Sequence, residues 1–308
     1  MTFIKNIALI AATLVVASSA SATALLGGYT DTTVQTLPTV NSYGNMVIDA
    51  AGNRYVGQYY SIQKITPAGV MSTLANLNSE ALSLELVGGN LYVGSSGGKL
   101  SKVALATGTV TALAARPSTM NNIAASIDNA NLFFATTSGI AKYNIASNSY
   151  STTSLSSGLY TAIATRADGS LLLSDYNSNS ILAYDPTRNT SSVFYSGVSA
   201  IGAISIDAYT GEVYAALEYA NKIVRINAAG TNATDFATMR FNGGYYPTAM
   251  SFSADGKSLS YLAYDNNYRT YLGQISGFAG ATAVPEPGTW ALFGLALAGL
   301  AFVRRKRA

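Results

Sequence analysis

Residues 46–65 read MVIDAAGNRYVGQYYSIQKI, and the return of this pattern along the chain decides the fold. An apolar stretch reaches a turn at Gly52 and Asn53, whose residue types tolerate the positive φ of a tight hairpin. A second, aromatic stretch follows, and then Ile62-Gln63-Lys64-Ile65, of the form apolar, any residue, basic, apolar. That tetrapeptide recurs as LSKV from Leu100, IAKY from Ile140, ILAY from Ile181, IVRI from Ile223 and LGQI from Leu272, at spacings of 38, 40, 41, 42 and 49 residues. The segments before it recur in the same register: LELVGGNLYVG, AASIDNANLFFA, AIATRADGSLLLS, ISIDAYTGEVYAA and MSFSADGKSLSYLA. A period near 40 residues with hairpin chemistry inside each repeat is that of a four-stranded propeller blade.

A further turn follows the tetrapeptide in most copies (TPAG, ALATG, NIASN, DPTRN, NAAG), and then a fourth strand such as VMSTLA or SSVFYSG. Each repeat is thus expected to hold four antiparallel strands, A to D. The sixth has no fourth strand of its own, because the chain enters the linker GFAGATA after LGQI. A spare strand at 32–40, TTVQTLPTV, precedes the first repeat and would close the ring, since an open array leaves unpaired edges. The expected fold is all-β, a six-bladed propeller over 25–275 closed by this N-terminal strand. Its blades fall at about 45–82, 83–121, 122–160, 161–201, 202–247 and 248–275.

The blade sequences resemble the NHL-type propellers and, more loosely, the gluconolactonase-like and virginiamycin-lyase-like propellers, through the A–B turn and the tetrapeptide strand. In such a topology the A–B and C–D turns share one face, and Asp49, Asp128, Asp168, Asp207 and Asp255 fall on its A–B turns, where turn capping is their expected role. The B–C and D–A loops share the other face, around the central channel. By this assignment nine of the 21 tyrosines lie there. The candidate ligand-binding set is Tyr43, Tyr59, Tyr60, Asn122, Tyr160, Tyr176, Tyr219, Tyr246 and Tyr268, since a rigid ring with a polar tip suits sugar faces and protein surfaces. Asp175, Glu218 and Asp265 occupy comparable B–C positions in consecutive blades, where solvated loop acids are the expected reading and a Ca²⁺ site the candidate alternative; no cofactor is otherwise expected. The lactonase resemblance implies metal-binding Asn and Asp where strand A begins. Asn122 fits that pattern, whereas Thr161, Gly202 and Thr248 depart from it.

Composition narrows the chemistry. The 308 residues contain neither Cys nor His, which excludes thiol nucleophiles, imidazole bases and the histidine on which the lyase-like family relies. With the terminal segments set aside, 13 basic residues face 14 acidic ones (18 − 5 against 15 − 1), so the core lacks the basic stripe of a nucleic-acid binder.

Both ends read as addresses. Residues 1–24 carry Lys5, an apolar run and the small-residue site Ala20-Ser21-Ala22, the pattern of a secretory signal peptide removed by signal peptidase. After a linker at 276–283, residues 284–308 carry Val284-Pro285-Glu286-Pro287, an apolar segment at 288–303 and the basic end Arg304-Arg305-Lys306-Arg307. As a helix the apolar segment spans roughly 24 Å, short for a stable membrane anchor. This tripartite tail resembles the PEP-CTERM sorting signal of exopolysaccharide-producing Gram-negative bacteria. The resemblance implies transient inner-membrane anchoring, processing by an exosortase, and delivery to the cell surface or extracellular matrix. The expected function is a non-catalytic module associated with extracellular polysaccharide or a matrix protein. The alternatives are a carboxylate-dependent hydrolase or lyase and a purely structural surface protein.

Overall fold

A computed structural model describes residues 22–37, 43–116, 118–151, 153–155, 157–239, 246–264 and 269–280. The sorting tail, including its motif residues and the expected apolar helix, lies outside the described residues, as does most of the expected signal peptide. Among the described residues no helix is long and apolar enough to cross a membrane.

Two short strands open the described chain, β1 (Ala22–Leu25) and β2 (Thr30–Thr36). Blade one is β3 (Tyr43–Ile48), β4 (Arg54–Gln58), β5 (Ser61–Ile65) and β6 (Met71–Asn76). Blade two is β7 (Ser83–Val87), β8 (Asn90–Gly94), β9 (Leu100–Ala104) and β10 (Val110–Ala112). Blade three is β11 (Met120–Ala125), β12 (Asn131–Thr136), β13 (Gly139–Asn144) and β14 (Ser149–Ser151). Blade four is β15 (Tyr160–Thr165), β16 (Leu171–Asp175), β17 (Ser180–Asp185) and β18 (Thr190–Ser196). Blade five is β19 (Ile201–Ile206), β20 (Val213–Leu217), β21 (Lys222–Ile226) and β22 (Ala233–Met239). Blade six is β23 (Tyr246–Phe252), β24 (Ser258–Tyr264) and β25 (Thr270–Ser276).

The sixth sheet is completed by β2, in the order β2-β25-β24-β23, so an N-terminal strand closes the ring. The closing strand covers Thr30–Thr36 rather than 32–40, running antiparallel to β25 from Thr30 opposite Ser276 to Thr36 opposite Tyr271. Side chains reinforce the seam. The Tyr261 hydroxyl donates to the Asp31 carboxylate at 3.0 Å, and buried Arg54 donates from Nε to Ser260 Oγ at 3.1 Å and from its other end to Gln274 Oε1. One strand lies outside the sequence expectation: Ala22–Leu25, read there as the end of the signal segment, pairs with β22 as a fifth strand of blade five. The outer edge of β22 offers a row of unpaired backbone groups, and β1 satisfies them.

The core is divided among six apolar clusters, one between each pair of neighbouring blades. Strand B shows how alternation builds them: Leu91 and Val93 face blade one, while Tyr92 between them faces blade three. At the start of strand A this alternation slips. Register shifts between Met120 and Asn122, Tyr160 and Ile163, and Ile201 and Ala203 put Met120 with Ile123, Tyr160 with Ile163, and Ile201 with Ile204 on one face each. Such bulges add a residue and re-aim the side chains beside it.

The turn aspartates have the expected capping role. Oδ1 of Asp49 accepts from the amides of Ala51 and Asn53, that of Asp168 from Ser170, that of Asp207 from Tyr209 and that of Asp255 from Lys257. Asp128 Oδ1 accepts from the amide of Ala130 in the same way.

Candidate functional site at the channel mouth

Antiparallel pairing fixes which loops surround the mouth. Strand A begins beside the end of strand B, as Tyr160 lies opposite Asp175 and Ile201 opposite Leu217, so the B–C turns and the start of every A strand share one face. At the centre of that face is a depression of about 220 Å³ lined by Gly44, Asn45, Leu82, Asn121, Asn122, Thr161, Gly202, Glu218 and Thr248.

The amides are held by the bulges. Asn45 Oδ1 caps the amide of Met46 at 2.7 Å, Asn122 Oδ1 caps that of Ile123 at 2.8 Å, and Asn45 Nδ2 donates to Asn122 Oδ1 at 3.0 Å. Asn121 Nδ2 donates to the Tyr160 carbonyl, and Thr161 Oγ1 to the Ile201 carbonyl, which ties blade three to four and four to five around the opening. Glu218 extends from the blade-five B–C turn over Gly202. A Cβ on Gly202 would overlap the Glu218 carboxylate, so glycine there is a condition for the acid reaching the mouth. Burial raises the Glu218 pKa above the ordinary carboxylate value, because the charged form loses hydration there.

The sequence-derived tyrosines divide by burial. Tyr60 is 53% exposed, Tyr176 43% and Tyr219 70%, with Tyr59 beside Tyr60 at a ring separation of 4.4 Å in an edge-on arrangement. All four sit on B–C turns around the mouth. Tyr160, by contrast, is only 4% exposed and packs between blades three and four with Phe133 and Ile163, because the bulge after it turns its ring inward. Tyr43 and Tyr246 open β3 and β23 at this end of their blades, while their side chains, and all of Tyr268, lie outside the described residues.

Of the candidate calcium ligands, Asp265 lies outside the described residues. Both oxygens of Asp175 serve its own turn, Oδ1 accepting from the amide of Asn177 at 3.0 Å and Oδ2 from the Ser178 hydroxyl at 2.7 Å. Among the described residues no three acidic side chains gather as a metal-holding group.

Asn45 did not stand out in the sequence, and neither did Glu85, on the channel wall below the mouth. Aligning the repeats exposes it: Glu85 pairs with Tyr92 where Ala124 pairs with Phe133 and Ala164 with Leu172. It is partly exposed to the channel, and burial pushes its pKa up to about 8 against the opposing hydrogen bonds from the amides of Leu86 and Ala125.

Residues 283–307 match the PEP-CTERM protein-sorting motif. No curated protein matches the chain by sequence. Among solved structures the fold is shared with a gluconolactonase from Xanthomonas campestris at 11% identity and a TM-score of 0.68, covering 84% of this chain and 97% of that one. A streptogramin B lyase is similar at 14% identity and a TM-score of 0.61, covering 80% and 97%. So is a chain of a nidogen/laminin complex, at 13% identity and a TM-score of 0.60, covering 73% and 98%. At such identities the likeness is one of fold, and the site must speak for function.

Proposed function

We propose that this exported propeller, which ends in a PEP-CTERM sorting motif, is a binding module that holds extracellular polysaccharide on the rim around its channel mouth. One observation carries the reading: exposed Tyr59, Tyr60, Tyr176 and Tyr219 flank a mouth furnished with Asn45, Asn121, Asn122, Thr161 and Glu218. Rings of this kind cover the apolar faces of a sugar, and amides and hydroxyls meet its hydroxyl groups, with little side-chain entropy lost on binding. The sorting motif implies an exosortase as the processing partner; delivery to the surface or matrix follows from the same reading and would bring the rim to its ligand.

The test is calorimetric titration of the purified protein with the polysaccharide of the producing cell, repeated on Tyr176→Ala and Tyr219→Ala. Binding that weakens at least fivefold in each variant supports the reading. No heat with the parent protein, or affinity indifferent to both substitutions, overturns it.

A second reading rests on Glu218, whose raised proton affinity at a mouth lined by amides suits a general acid. Turnover of a sugar δ-lactone that disappears in Glu218→Gln would favour a hydrolase over a binding module.

A further inference from the structure

The axial channel runs inward from the mouth, and Asn45 and Asn122 line both the mouth and the cavity of about 290 Å³ within. Strand pairing defines one layer of its wall. Val47 lies opposite Tyr55, Glu85 opposite Tyr92, Ala124 opposite Phe133, Ala164 opposite Leu172, Ser205 opposite Tyr214 and Ser251 opposite Ser260. Five of these six positions carry a short side chain, and the sixth carries Glu85, which lines the cavity with its carboxylate held by the amides of Leu86 and Ala125.

Among the described residues no lysine or arginine lines the cavity, and none of the ion pairs includes Glu85. A carboxylate so enclosed is unfavourable unless it is protonated or meets a cation. The amides of Leu86 and Ala125 hydrogen-bond it without bringing a full charge. Ser205 of blade five lies across the ring from it and Ser251 in blade six, while Val47 and Ala124 of the two flanking blades and Ala164 of blade four add apolar surface to the lining.

We propose that the axial channel is a binding site for a small hydroxylated primary ammonium ion, of amino-sugar size, with Glu85 as its counter-ion and Ser205 and Ser251 as partners for its hydroxyl groups. The volume lies at the low end for small-molecule sites, which limits the ligand to a single ring or a short chain. Divalent cations fit this layer poorly, because Ca²⁺ takes six to eight oxygen ligands and the layer offers one carboxylate and two serine hydroxyls. Anions are disfavoured by Glu85 within and Glu218 at the mouth. This site is separate from the tyrosine rim, and neither reading depends on the other.

The experiment is calorimetric titration of the full-length protein, in mild detergent, with glucosamine hydrochloride and with glucose, which lacks the ammonium group. Glucosamine binds at least tenfold more tightly than glucose, and the preference is lost in Glu85→Gln. Ala164→Leu, which enlarges a lining side chain in blade four and leaves Glu85 in place, abolishes binding even if Glu85→Gln proves hard to fold. Equal affinity for the two sugars, glucosamine binding indifferent to both Glu85→Gln and Ala164→Leu, or Glu85-dependent binding of calcium chloride in place of glucosamine would each overturn the proposal. Failure of the polysaccharide to bind the rim leaves these outcomes unaffected, so the two readings fail independently.

Discussion

Glu85 makes the stability of this propeller depend on pH in a window where few of its other groups act. Its folded-state pKa is raised from 4.5 to about 8, so the folded chain keeps a proton that the unfolded chain releases. Stability is therefore fully present below pH 4.5 and falls as the pH rises toward 8, then levels off. At about 1.4 kcal/mol per unit the full shift corresponds to about 5 kcal/mol, and the partial exposure of Glu85 to solvent, which screens its charge, reduces the expected loss to roughly 2–3 kcal/mol. The turn aspartates act elsewhere. Asp168 and Asp255 are held below the ordinary value of 3.8, chiefly by the hydroxyls of Ser170 and Ser253, so their contribution is lost only as the pH falls through the acid range. Urea unfolding at half-unit intervals from pH 5 to 9 reads the effect directly. The parent protein loses stability across that range, and Glu85→Gln, which cannot ionise, has a flatter profile and is the more stable of the two at pH 9. A Glu85→Gln profile parallel to that of the parent would refute the assignment of this carboxyl to a channel without a counter-charge.

Other substitutions probe the remaining parts of the account. Gly202→Val displaces the Glu218 carboxylate, the movable end of a flexible side chain, so polysaccharide binding weakens while the melting temperature changes little. Two interblade latches repeat the same chemistry: Asn148 accepts from the Tyr143 hydroxyl and the Ala114 amide, and Asn189 from the Tyr184 hydroxyl and the Ser154 amide. Tyr143→Phe and Tyr184→Phe each lose about 1 kcal/mol by urea unfolding, and the two losses add because the latches share no partner. Removing residues 22–36 deletes β2 and exposes the outer edge of β25, so the shortened protein melts at lower temperature and self-associates on a sizing column.

The blade count and the ring closure were legible because each repeat reuses the same local solution. A Gly- or Asp-containing turn, an aromatic B strand and the tetrapeptide C strand, as in Asn53 to Ile65, mark a blade without any tertiary information. The mouth was legible in part: aligning the A strands pointed to Asn122, Thr161, Gly202 and Thr248, all of which line it. What escaped depends on geometry that period-two reading does not carry. Tyr160 looked like a rim residue until the bulge between it and Ile163 turned it into the interblade core. The strand Ala22–Leu25 is short and small-residued, and only the free edge of β22 gives it a partner. Glu85 occupies an alternating position of strand A, and alternation alone does not tell the channel from bulk solvent.

Hydrogen exchange of the purified protein with and without the producing cell's polysaccharide tests the central claim most directly, because it reads the two faces of the propeller at once. The account predicts slowed exchange at the B–C turns around Tyr59 and Tyr60, Tyr176 and Tyr219, with no change at the A–B turns capped by Asp49, Asp168 and Asp255. Protection confined to the A–B face, or none at saturating polysaccharide, would contradict it.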